Sequence, residues 1–517
     1  MEKPEIVVKN SSIQIRNYRF GSCPRLENCF MVFNPTTHSS HYVGIAYDEE
    51  KEILYVPRGI DIWYIEKLLE TEAKVEKNSF DEFDTYTDIK IKYLPRDDEQ
   101  KESLRFMLGK KEYKATSTKS QLSVNLNTGK GKTYVSIATF AYTGIKSMII
   151  TYSTGWLKQW KEKILEYTNL REKDICFITG SNTIYRLITM PPEKIYQYKI
   201  FLVTHSTLKS YGDNNGWDKV EELFRILKVG IKIYDEAHMN FSNMCMIDYH
   251  SNVYKTYYLT ATPTRSDPRE NMIYQTSFKN VLSIDLFNPE TDPHSNYWAI
   301  LYDSKPEPYV VSACKNQYGL DRNKYMNYIV TNDNFMKMAT IVIDMAMNII
   351  YREGTYKDKM LIYIGTNQAI EEFVNKIVDI IPDMRGQIGI FTSAVSPEEK
   401  ELAKEKKYIF TTTKSAGAAL DIAHLKVVIL LDEPFTSELL ARQTIGRLRD
   451  KDTYYFEVVD TGFYYCKKYY QKKKPIFSVY AKECDQSKIT DNELNNRYDR
   501  ITERMANMSS PMEIVES

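Results

Sequence analysis

The chain has little of the residues and patterns that mark secreted, zinc-binding or membrane-spanning proteins. Its 517 residues include seven scattered cysteines, without a Cys-x-x-Cys pair or a Cys/His cluster at zinc spacing, so neither a disulfide framework nor a zinc module is predicted. No window approaches the roughly 18 apolar residues of a membrane span, and the polar start lacks the apolar core of a leader peptide. These absences predict a soluble, cytoplasmic protein of a reducing compartment.

The chain also lacks an excess of either charge. Lys and Arg together number 69, and so do Asp and Glu, so no global basic signature points to a polyanion and any nucleic-acid site must be a local patch. Hydrophobic residues make up 43% and charged residues 27% of the chain, which excludes wholesale disorder. At roughly 150 residues per domain, the length predicts two to four domains.

The apolar runs divide the chain into five segments. Short alternating runs broken by Pro and Gly predict a small α+β module over residues 1–88. Apolar runs alternate with longer amphipathic segments over 89–285 and again over 326–477, which predicts two parallel α/β sheets. A linker is expected over 286–325 and a charged, short helical tail over 478–517. Ligands of such sheets bind at the carboxyl ends of the strands.

One apolar run feeds a glycine-containing turn, Asn127-Thr128-Gly129-Lys130-Gly131-Lys132-Thr133. The backbone N–H groups of such a turn and of the following helix face an anion, a lysine adds a point charge, and a hydroxyl can bind Mg²⁺. Lys132 and Thr133 are those residues here, so the turn predicts a nucleoside-triphosphate site. The full pattern has glycine where this chain has Leu126, and a Gly/Lys-rich surface turn is the alternative interpretation of the segment alone.

About a hundred residues later, the run Ile231-Lys232-Ile233-Tyr234 ends in Asp235-Glu236-Ala237-His238. Two adjacent carboxylates at a strand end suit Mg²⁺-assisted phosphoryl transfer, in which Asp235 holds the hydrated metal and Glu236 deprotonates the attacking water. Standing alone, the pair would be better explained as a solvated acidic loop.

A third string, Leu259-Thr260-Ala261-Thr262-Pro263-Thr264-Arg265, follows after one more strand-helix interval. In this order and at this spacing the three strings resemble motifs I, II and III of the superfamily 2 helicases of DEAH type. The resemblance implies two tandem RecA-like parallel-sheet lobes, ATP as substrate and Mg²⁺ as cofactor. It also implies that His238 couples the nucleotide site to Thr260 or Thr262, although a lone histidine is more often a packing residue.

Other family positions can be matched one by one. Gln100 resembles the residue that recognises adenine, although a plain helix start explains its surroundings nearly as well. Trp160 follows the segment that resembles motif Ia, and is more often a core residue than a base-stacking one. Asp421 resembles the motif V residue that meets the ribose or the neighbouring lobe.

The resemblance extends to nucleic-acid contacts and to the second half of the chain. Four threonine hydroxyls would hold the phosphodiester backbone: Thr204, Thr207, Thr366 and Thr413. Gln443, Arg447 and Arg449 resemble motif VI, whose arginines reach the γ-phosphate from the opposite lobe. Asp450 stands where the family often has its second arginine, so the identity of the arginine finger stays open.

These matches predict a nucleic-acid-stimulated ATPase that acts as a helicase or branch-remodelling translocase, with DNA as its track. The branch it most resembles includes phage UvsW-type helicases, restriction-enzyme motor subunits and the poxvirus transcript-release helicase. We expect a monomer that works with replication or transcription machinery, and a viral source that would place it in a virion or viral factory. The alternatives are a translocase that releases transcripts without unwinding, and an inactive structural protein that keeps the fold. The N-terminal module is either a duplex-binding accessory or a docking domain.

Overall fold

The computed structural model describes residues 3–34, 38–76, 79–126, 130–260, 265, 267–286, 295–317, 319–416, 420, 422–448 and 450–509. The chain forms two compact units, Met1–Phe287 and Asn288–Ser517. The first unit contains a small N-terminal module and a large sheet, and the second unit contains another large sheet. Within the described part of the chain, no helix combines the length and the apolar character needed to cross a membrane.

The N-terminal module is a small mixed sheet with two short helices. Its strands are β1 (Glu5–Val8), β2 (Ser12–Arg16), β3 (Met31–Asn34), β4 (Ser39–Tyr42), β5 (Ala46–Asp48), β6 (Ile53–Pro57) and β7 (Ala73–Val75), its helices are α1 (Pro24–Glu27) and α2 (Ile62–Leu69), and a 3₁₀ turn covers Asn28–Phe30. Five strands form one sheet in the order β5-β6-β2-β1-β7, while β3 and β4 form a separate antiparallel hairpin. Buried residues of the module, such as Ile13 and Val56, share one hydrophobic core with the rest of the first unit.

The remainder of the first unit is a seven-stranded sheet with helices. Its strands are β8 (Gln121–Asn125), β9 (Ser147–Thr151), β10 (Ile175–Ile178), β11 (Ile200–Thr204), β12 (Ile231–Tyr234), β13 (Lys255–Thr260) and β14 (Leu282–Asp285). Its helices are α3 (Asp98–Leu108), α4 (Lys132–Thr143), α5 (Thr154–Tyr167), α6 (Ser181–Ile188), α7 (Pro192–Tyr196), α8 (His205–Asn215), α9 (Trp217–Leu227), α10 (Phe241–Tyr249) and α11 (Pro268–Ser277), with 3₁₀ turns at Lys111–Thr118 and Glu172–Asp174.

All strand pairs of this sheet are parallel, in the order β10-β11-β9-β12-β13-β8-β14. Strands β9, β11, β12 and β13 are buried along their whole length, which explains why they appear in the sequence as continuous apolar runs and not as alternating ones. Thr260 pairs with Asn125 and Thr204 with Thr151, so the strand ends that carry the predicted motifs lie along one edge.

The second unit is also built on a seven-stranded parallel sheet, in the order β19-β20-β18-β21-β22-β15-β23. Its strands are β15 (Ser295–Tyr302), β16 (Lys315–Asn316), β17 (Gly319–Leu320), β18 (Lys359–Tyr363), β19 (Ile388–Phe391), β20 (Tyr408–Thr411), β21 (Leu425–Leu431), β22 (Thr453–Asp460) and β23 (Ala481–Lys488), of which β16 and β17 form a separate pair. Its helices are α12 (Pro308–Ala313), α13 (Arg322–Ile329), α14 (Asp333–Glu353), α15 (Asn367–Ile380), α16 (Pro397–Lys404), α17 (Thr413–Ala416), α18 (Glu438–Ile445), α19 (Tyr464–Tyr480) and α20 (Asp491–Ser509), with a 3₁₀ turn at Pro382–Met384.

The second sheet reaches beyond the segment 326–477 that the sequence assigns to it. The expected linker, 286–325, contributes β15, whose apolar run from Tyr297 to Tyr302 is a strand signal that could have been recognised. The expected tail, 478–517, begins with edge strand β23, which pairs with β15. Strand β23 is polar and mostly exposed. Backbone pairing holds it in the sheet, and its sequence has no hydrophobic pattern from which a strand could be predicted. Helix α20 then packs on α14, where Arg504 and Asp344 form an ion pair.

Candidate nucleotide and nucleic-acid site

The predicted phosphate turn lies between strand β8 and helix α4. Gly131 is the N-cap of α4 with φ of 90°, a left-handed conformation that favours glycine. Gly131 has no side chain that could cap this helix end, which leaves the first N–H groups of α4 for an anion as far as the described residues show. Thr133, the proposed Mg²⁺ ligand, is partly buried in the first turn. Asn127, Thr128 and Gly129 lie outside the described residues.

Lys132 is held where a phosphate would need its charge. Its Nζ donates to the carbonyl oxygen of Leu126 at 2.9 Å and lies 3.7 Å from Oε1 of Glu236. Leu126 itself is buried in the lobe core, and its N–H donates to the carbonyl of Thr260 at 3.1 Å. The side chain that departs from the glycine pattern therefore packs into the core, and its backbone positions the lysine.

Gln100 packs directly against the phosphate turn. A Cβ atom added at Gly131 would lie 2.2 Å from the Gln100 amide nitrogen, so a larger residue there would displace the Gln100 side chain, while the positive φ itself favours glycine. The Gln100 side chain is buried, and its Oε1 accepts a hydrogen bond from the Arg96 N–H at 3.0 Å. Lys130 of the same turn forms an ion pair of 2.7 Å with Glu99. Helix α3 therefore braces the turn at the position expected for adenine recognition.

The two carboxylates follow strand β12 as predicted. Glu236 has φ of 50°, an uncommon conformation for a residue with a side chain, and it lies between Lys132 and the ring of His238, whose Nδ1 is 3.4 Å from Oε2. Such local strain recurs at functional sites. Asp235 accepts a hydrogen bond of 2.8 Å from the indole N–H of Trp160.

Burial raises the pKa of Asp235 to about 6, and the neighbouring Glu236 charge adds to the increase, while the Trp160 hydrogen bond opposes it. A carboxylate whose charge is this unfavourable in the free protein is a good ligand for a divalent cation, because the cation offsets the cost of ionisation. The donor set of Asp235 and the Thr133 hydroxyl suits Mg²⁺, which prefers oxygen ligands.

His238 connects the carboxylates to the neighbouring strand. Its Nδ1 lies 2.8 Å from the hydroxyl oxygen of Thr260, at the end of β13. Burial lowers the pKa of His238 to about 4, so the ring is neutral near pH 7 and can bridge the two groups. Arg265 donates to the His238 carbonyl and forms a 2.8 Å ion pair with Glu270. Thr262, the alternative partner of His238, lies outside the described residues.

The threonines expected to hold a nucleic-acid backbone differ in their surroundings. Thr204 is buried and caps helix α8, where its Oγ1 accepts the N–H of Thr207 at 3.2 Å; the two hydroxyl oxygens are 2.9 Å apart. Thr207 and Thr366 are partly exposed, and Thr366 caps α15. Thr413 is buried and donates its hydroxyl hydrogen to Glu433 at 2.5 Å.

The predicted motif VI residues lie on and just after helix α18 of the second unit. Gln443 is partly buried within the helix. Arg447 is mostly buried and donates to the carbonyl of Leu420 at 2.7 Å. Arg449, the second candidate finger, and Asp421, the motif V carboxylate, lie outside the described residues.

Three side chains at these sites were not assigned a role by the sequence. Trp160 donates to the Asp235 carboxylate, Arg265 donates to the His238 carbonyl, and Arg322 pairs with the buried Glu433 beside Thr413. Trp160 stands in the segment that resembles motif Ia, which was the available signal. Nothing in the local sequence around Arg322 indicates its partner, because the two residues are far apart in the chain.

Residues 93–265 match the family described as Type III restriction enzyme, res subunit. The DNA 3'-5' helicase XPB of Mycobacterium tuberculosis is 28% identical over 151 residues, which is 29% of this chain and 25% of that protein. The chain thus spans about a quarter of the length of the curated relatives it matches.

Two solved structures share the fold. Saccharomyces cerevisiae Dbp5 bound to RNA and ADP BeF3 has a TM-score of 0.50 at 13% identity, with 78% of this chain and 93% of that one covered. A fragment assigned to the HsdR subunit of a type I restriction enzyme from Vibrio vulnificus has a TM-score of 0.51 at 12% identity, with 93% and 85% covered. The predicted fold of two RecA-like lobes with a small N-terminal module is confirmed, and the sequence matches support a helicase core of superfamily 2.

Proposed function

We propose that this protein is a nucleic-acid-stimulated ATPase of DEAH type that uses ATP hydrolysis to move along DNA and to unwind it or remodel its branches. The observation that carries the proposal is the connected series from Lys132 through Glu236 and His238 to Thr260. It joins a phosphate-binding lysine to a candidate base and to the strand end that follows. A surface turn or a solvated acidic loop would need no such arrangement.

Each residue has a defined task in this proposal. Lys132 binds the β- and γ-phosphates, Thr133 and Asp235 hold Mg²⁺, and Glu236 orients and deprotonates the attacking water. Mg²⁺ bound there would neutralise charge that develops on the phosphoryl oxygens. His238 stays neutral and transmits movement of the Glu236 loop to Thr260.

The second lobe would complete the site. Arg447 or Arg449, with Gln443 beside them, would reach the γ-phosphate when the lobes close on ATP, and hydrolysis would let them reopen. Thr207 and Thr366 are the threonines whose hydroxyls are accessible for a phosphodiester backbone, and alternate grip by the two lobes would move the protein along the strand. Thr204 and Thr413 are buried, so their hydroxyls would first have to become accessible.

A matched pair of variants tests the proposal. Glu236→Gln removes the base but keeps the shape, so we expect ATP binding to persist and the nucleic-acid-stimulated rate to fall at least 100-fold. Glu222→Gln, on the exposed side of α9, is the control and should hydrolyse ATP at the wild-type rate. Equal rates in wild type and Glu236→Gln would refute the assignment of the base, and no hydrolysis by the wild type with any DNA or RNA would favour an inactive structural protein.

A second measurement is needed to identify the nucleic acid along which the protein moves and to distinguish unwinding from translocation alone. ATPase stimulation by single-stranded DNA, duplex DNA, forked DNA and RNA should be greatest with a DNA substrate. A strand-displacement assay beside release of a stalled transcript then separates a helicase from a translocase that acts on transcription complexes, in line with the resemblance to large-DNA-virus and phage enzymes. Stimulation of ATP hydrolysis by RNA alone would overturn the proposal that the protein moves along DNA.

A further inference from the structure

The N-terminal module exposes aromatic side chains in a way that the ATPase site does not explain. Phe33 of β3 is 56% exposed and Tyr42 of β4 is 40% exposed, and Phe20, which precedes α1, is 36% exposed. An aromatic side chain can bury 150–250 Å², so leaving several in water is unfavourable, and grouped exposed rings mark interaction sites.

These rings share one surface. In the β3–β4 hairpin, Met31 is opposite Tyr42 and Phe33 is opposite Ser40. Side chains alternate between the two faces along a strand, and directly opposed residues share a face, so Phe33 and Tyr42 lie on the same face. The rings of Phe20 and Tyr42 are in edge contact, with centroids 5.2 Å apart. The opposite face of the hairpin is anchored, because Val32 is 5% exposed and belongs to the core of the first unit. We call Phe20, Phe33 and Tyr42 the hairpin face. Arg19 adjoins Phe20 in the chain, and Arg25 lies on α1, which follows it.

The chain segment that carries the rings has two exposed arginines without a carboxylate partner. Between residues 16 and 47 the sequence has three arginines and a single acid, Glu27, whereas Asp48, Glu49, Glu50 and Glu52 follow in the next turn. Glu27 is buried and its Oε1 accepts hydrogen bonds from the Tyr18 hydroxyl at 2.7 Å and the Gly21 N–H at 2.6 Å. Arg19 and Arg25 are exposed, and no carboxylate among the described residues lies within ion-pair distance of either. Their guanidinium groups are therefore available to an anion, on a chain with no net charge.

We propose that the hairpin face binds unpaired nucleotides, with bases stacked on Phe33 and Tyr42 and phosphates near Arg19 and Arg25. Aromatic rings beside a basic groove are how single strands are bound without sequence preference. A duplex fits less well, because its base faces are already stacked inside. Two or three arginines are also few beside the 6 to 10 phosphate contacts that give tight duplex binding.

The hairpin face is fixed to the lobe that carries the ATP site. Arg269 of α11 donates hydrogen bonds to the carbonyl oxygens of Asn28 at 2.6 Å and Met31 at 3.0 Å, immediately before and within β3. Helix α11 follows the segment that leaves Thr260 at the end of β13. A strand bound at the hairpin face is thus held by the same lobe that hydrolyses ATP, and this link to the motor rests on the proposed function.

Equilibrium binding tests the face without requiring ATP hydrolysis. The full chain is titrated, without nucleotide, into a fluorescently labelled 20-residue oligothymidylate, an abasic oligomer of the same length, an oligouridylate and a DNA duplex. We expect Phe33→Ala and Tyr42→Ala each to weaken oligothymidylate binding roughly 5- to 100-fold, with little change for the abasic oligomer. Tyr42→Phe should bind as the wild type does. Tyr351→Ala, which removes an 88% exposed ring from α14, is the control.

Salt dependence and crosslinking locate the contact. Arg19→Ala and Arg25→Ala should each reduce the slope of log affinity against log salt by about 0.7. Photocrosslinking with 4-thiothymidine, read by mass spectrometry, should mark the peptide that contains Phe33 or Tyr42. Comparable binding of oligouridylate would extend the site to RNA, as unpaired bases share the stacking chemistry.

The outcomes separate this proposal from the proposed function. Crosslinks confined to other parts of the chain, or equal affinity in wild type and both ring variants, would overturn the hairpin face even if nucleic acid stimulates ATP hydrolysis. If the ring variants lose affinity equally for the abasic oligomer, the contact is purely electrostatic and involves no base stacking. That result would also overturn the proposal for the hairpin face. Absence of binding to every probe would contradict both proposals, and would leave a protein partner for the exposed rings.

Discussion

At the residue scale, Trp160 shows how one side chain serves both the core and the site. It is 3% exposed, as expected of a packing residue, yet its N–H points at the carboxylate of Asp235. That hydrogen bond favours the ionised form and opposes the burial that raises the pKa of Asp235. A packing role and a functional role are therefore not alternatives at this position.

Trp160→Phe keeps the packing and removes the donor. We expect the pKa of Asp235 to rise further, so the acid side of the ATPase pH profile should move to higher pH. The Mg²⁺ concentration for half-maximal rate should increase about 10-fold or more, as is typical when a group that orients a metal ligand is lost. Trp156→Phe, on the same helix, is the control. An unchanged Mg²⁺ dependence would show that the indole N–H only satisfies a buried donor.

His205 makes stability depend on pH. It is buried beneath the ring of Tyr234, neither ring nitrogen has a hydrogen-bond partner among the described residues, and burial lowers its pKa to about 4. Because the folded pKa lies below the unfolded value near 6.5, the unfolded chain takes up the proton first. The neutral His205 ring therefore makes its full contribution to the free energy of unfolding above pH 6.5, and this contribution is lost as the pH falls towards 4.

His205→Phe keeps the stacked ring and removes the titration. Relative to wild type, the variant should gain about 2 kcal/mol in free energy of unfolding between pH 7 and pH 5. Urea unfolding at the two pH values measures this difference. His41→Phe, at an exposed position, should show no such gain. A pH-independent difference for His205→Phe would mean that folding does not lower the pKa of His205.

At the element scale, a buried ion pair joins the strand and the helix that flank the carboxylate loop. Nζ of Lys232 on β12 lies 2.5 Å from Oδ1 of Asp248 on α10, and both side chains are buried. Asp248 also accepts the hydroxyls of Tyr234 at 2.9 Å and Tyr258 at 2.6 Å. One carboxylate thus connects α10 to both β12 and β13. The loop between β12 and α10 carries Asp235 and Glu236.

Asp248→Ala would leave Lys232 as a buried, uncompensated charge. We expect a loss of about 3–5 kcal/mol in free energy of unfolding, measured by denaturant unfolding. Lys219→Ala breaks an exposed pair with Glu222 on α9 and should change stability by less than about 1 kcal/mol. The double variant Lys232→Met/Asp248→Leu should be more stable than Asp248→Ala, because the charge imbalance is removed. Equal losses in the single and double variants would attribute the effect to packing alone.

The elements were predictable to different degrees for a physical reason. Strands buried on both faces, such as β9 and β13, carry their own apolar signal, and the motifs mark where they end. Strand β23 carries no such signal, because most of its residues face water and mainly its backbone is paired with β15. Its place, and the extension of the second sheet beyond the expected segment, depend on a partner strand almost 200 residues earlier in the chain.

At the scale of the whole molecule, the N-terminal module is packed closely against the first lobe. Gly59 lies at a close contact, because an added Cβ would lie 2.3 Å from the backbone oxygen of Ser277 on α11. The carbonyl of Gly59 also accepts the N–H of Asn280 at 2.9 Å. This contact favours a module fixed to the lobe over one that is loosely tethered.

Gly59→Ala should therefore loosen the packing between module and lobe. We expect a loss of about 1–3 kcal/mol in stability, seen as a lower thermal midpoint and faster proteolysis near residues 58–60. Gly155→Ala lies in an open, exposed part of α5 and should be neutral or slightly stabilising. An unchanged midpoint for Gly59→Ala would indicate that the module can shift, from a 2.3 Å contact to at least about 3 Å, at no cost.

The sequence by itself determined which residues are candidates for the chemistry. Lys132, Asp235 and Glu236 could be selected because turn geometry and strand ends constrain residue type locally. Only the tertiary structure decided what holds them: Leu126 turns its side chain into the core, Trp160 reaches the Asp235 carboxylate, and His238 meets Thr260 across neighbouring strands. The hairpin face likewise exists only after folding, because exposure and strand register set which aromatic rings remain in water. Such contacts join residues distant in the chain, so no local pattern can encode them.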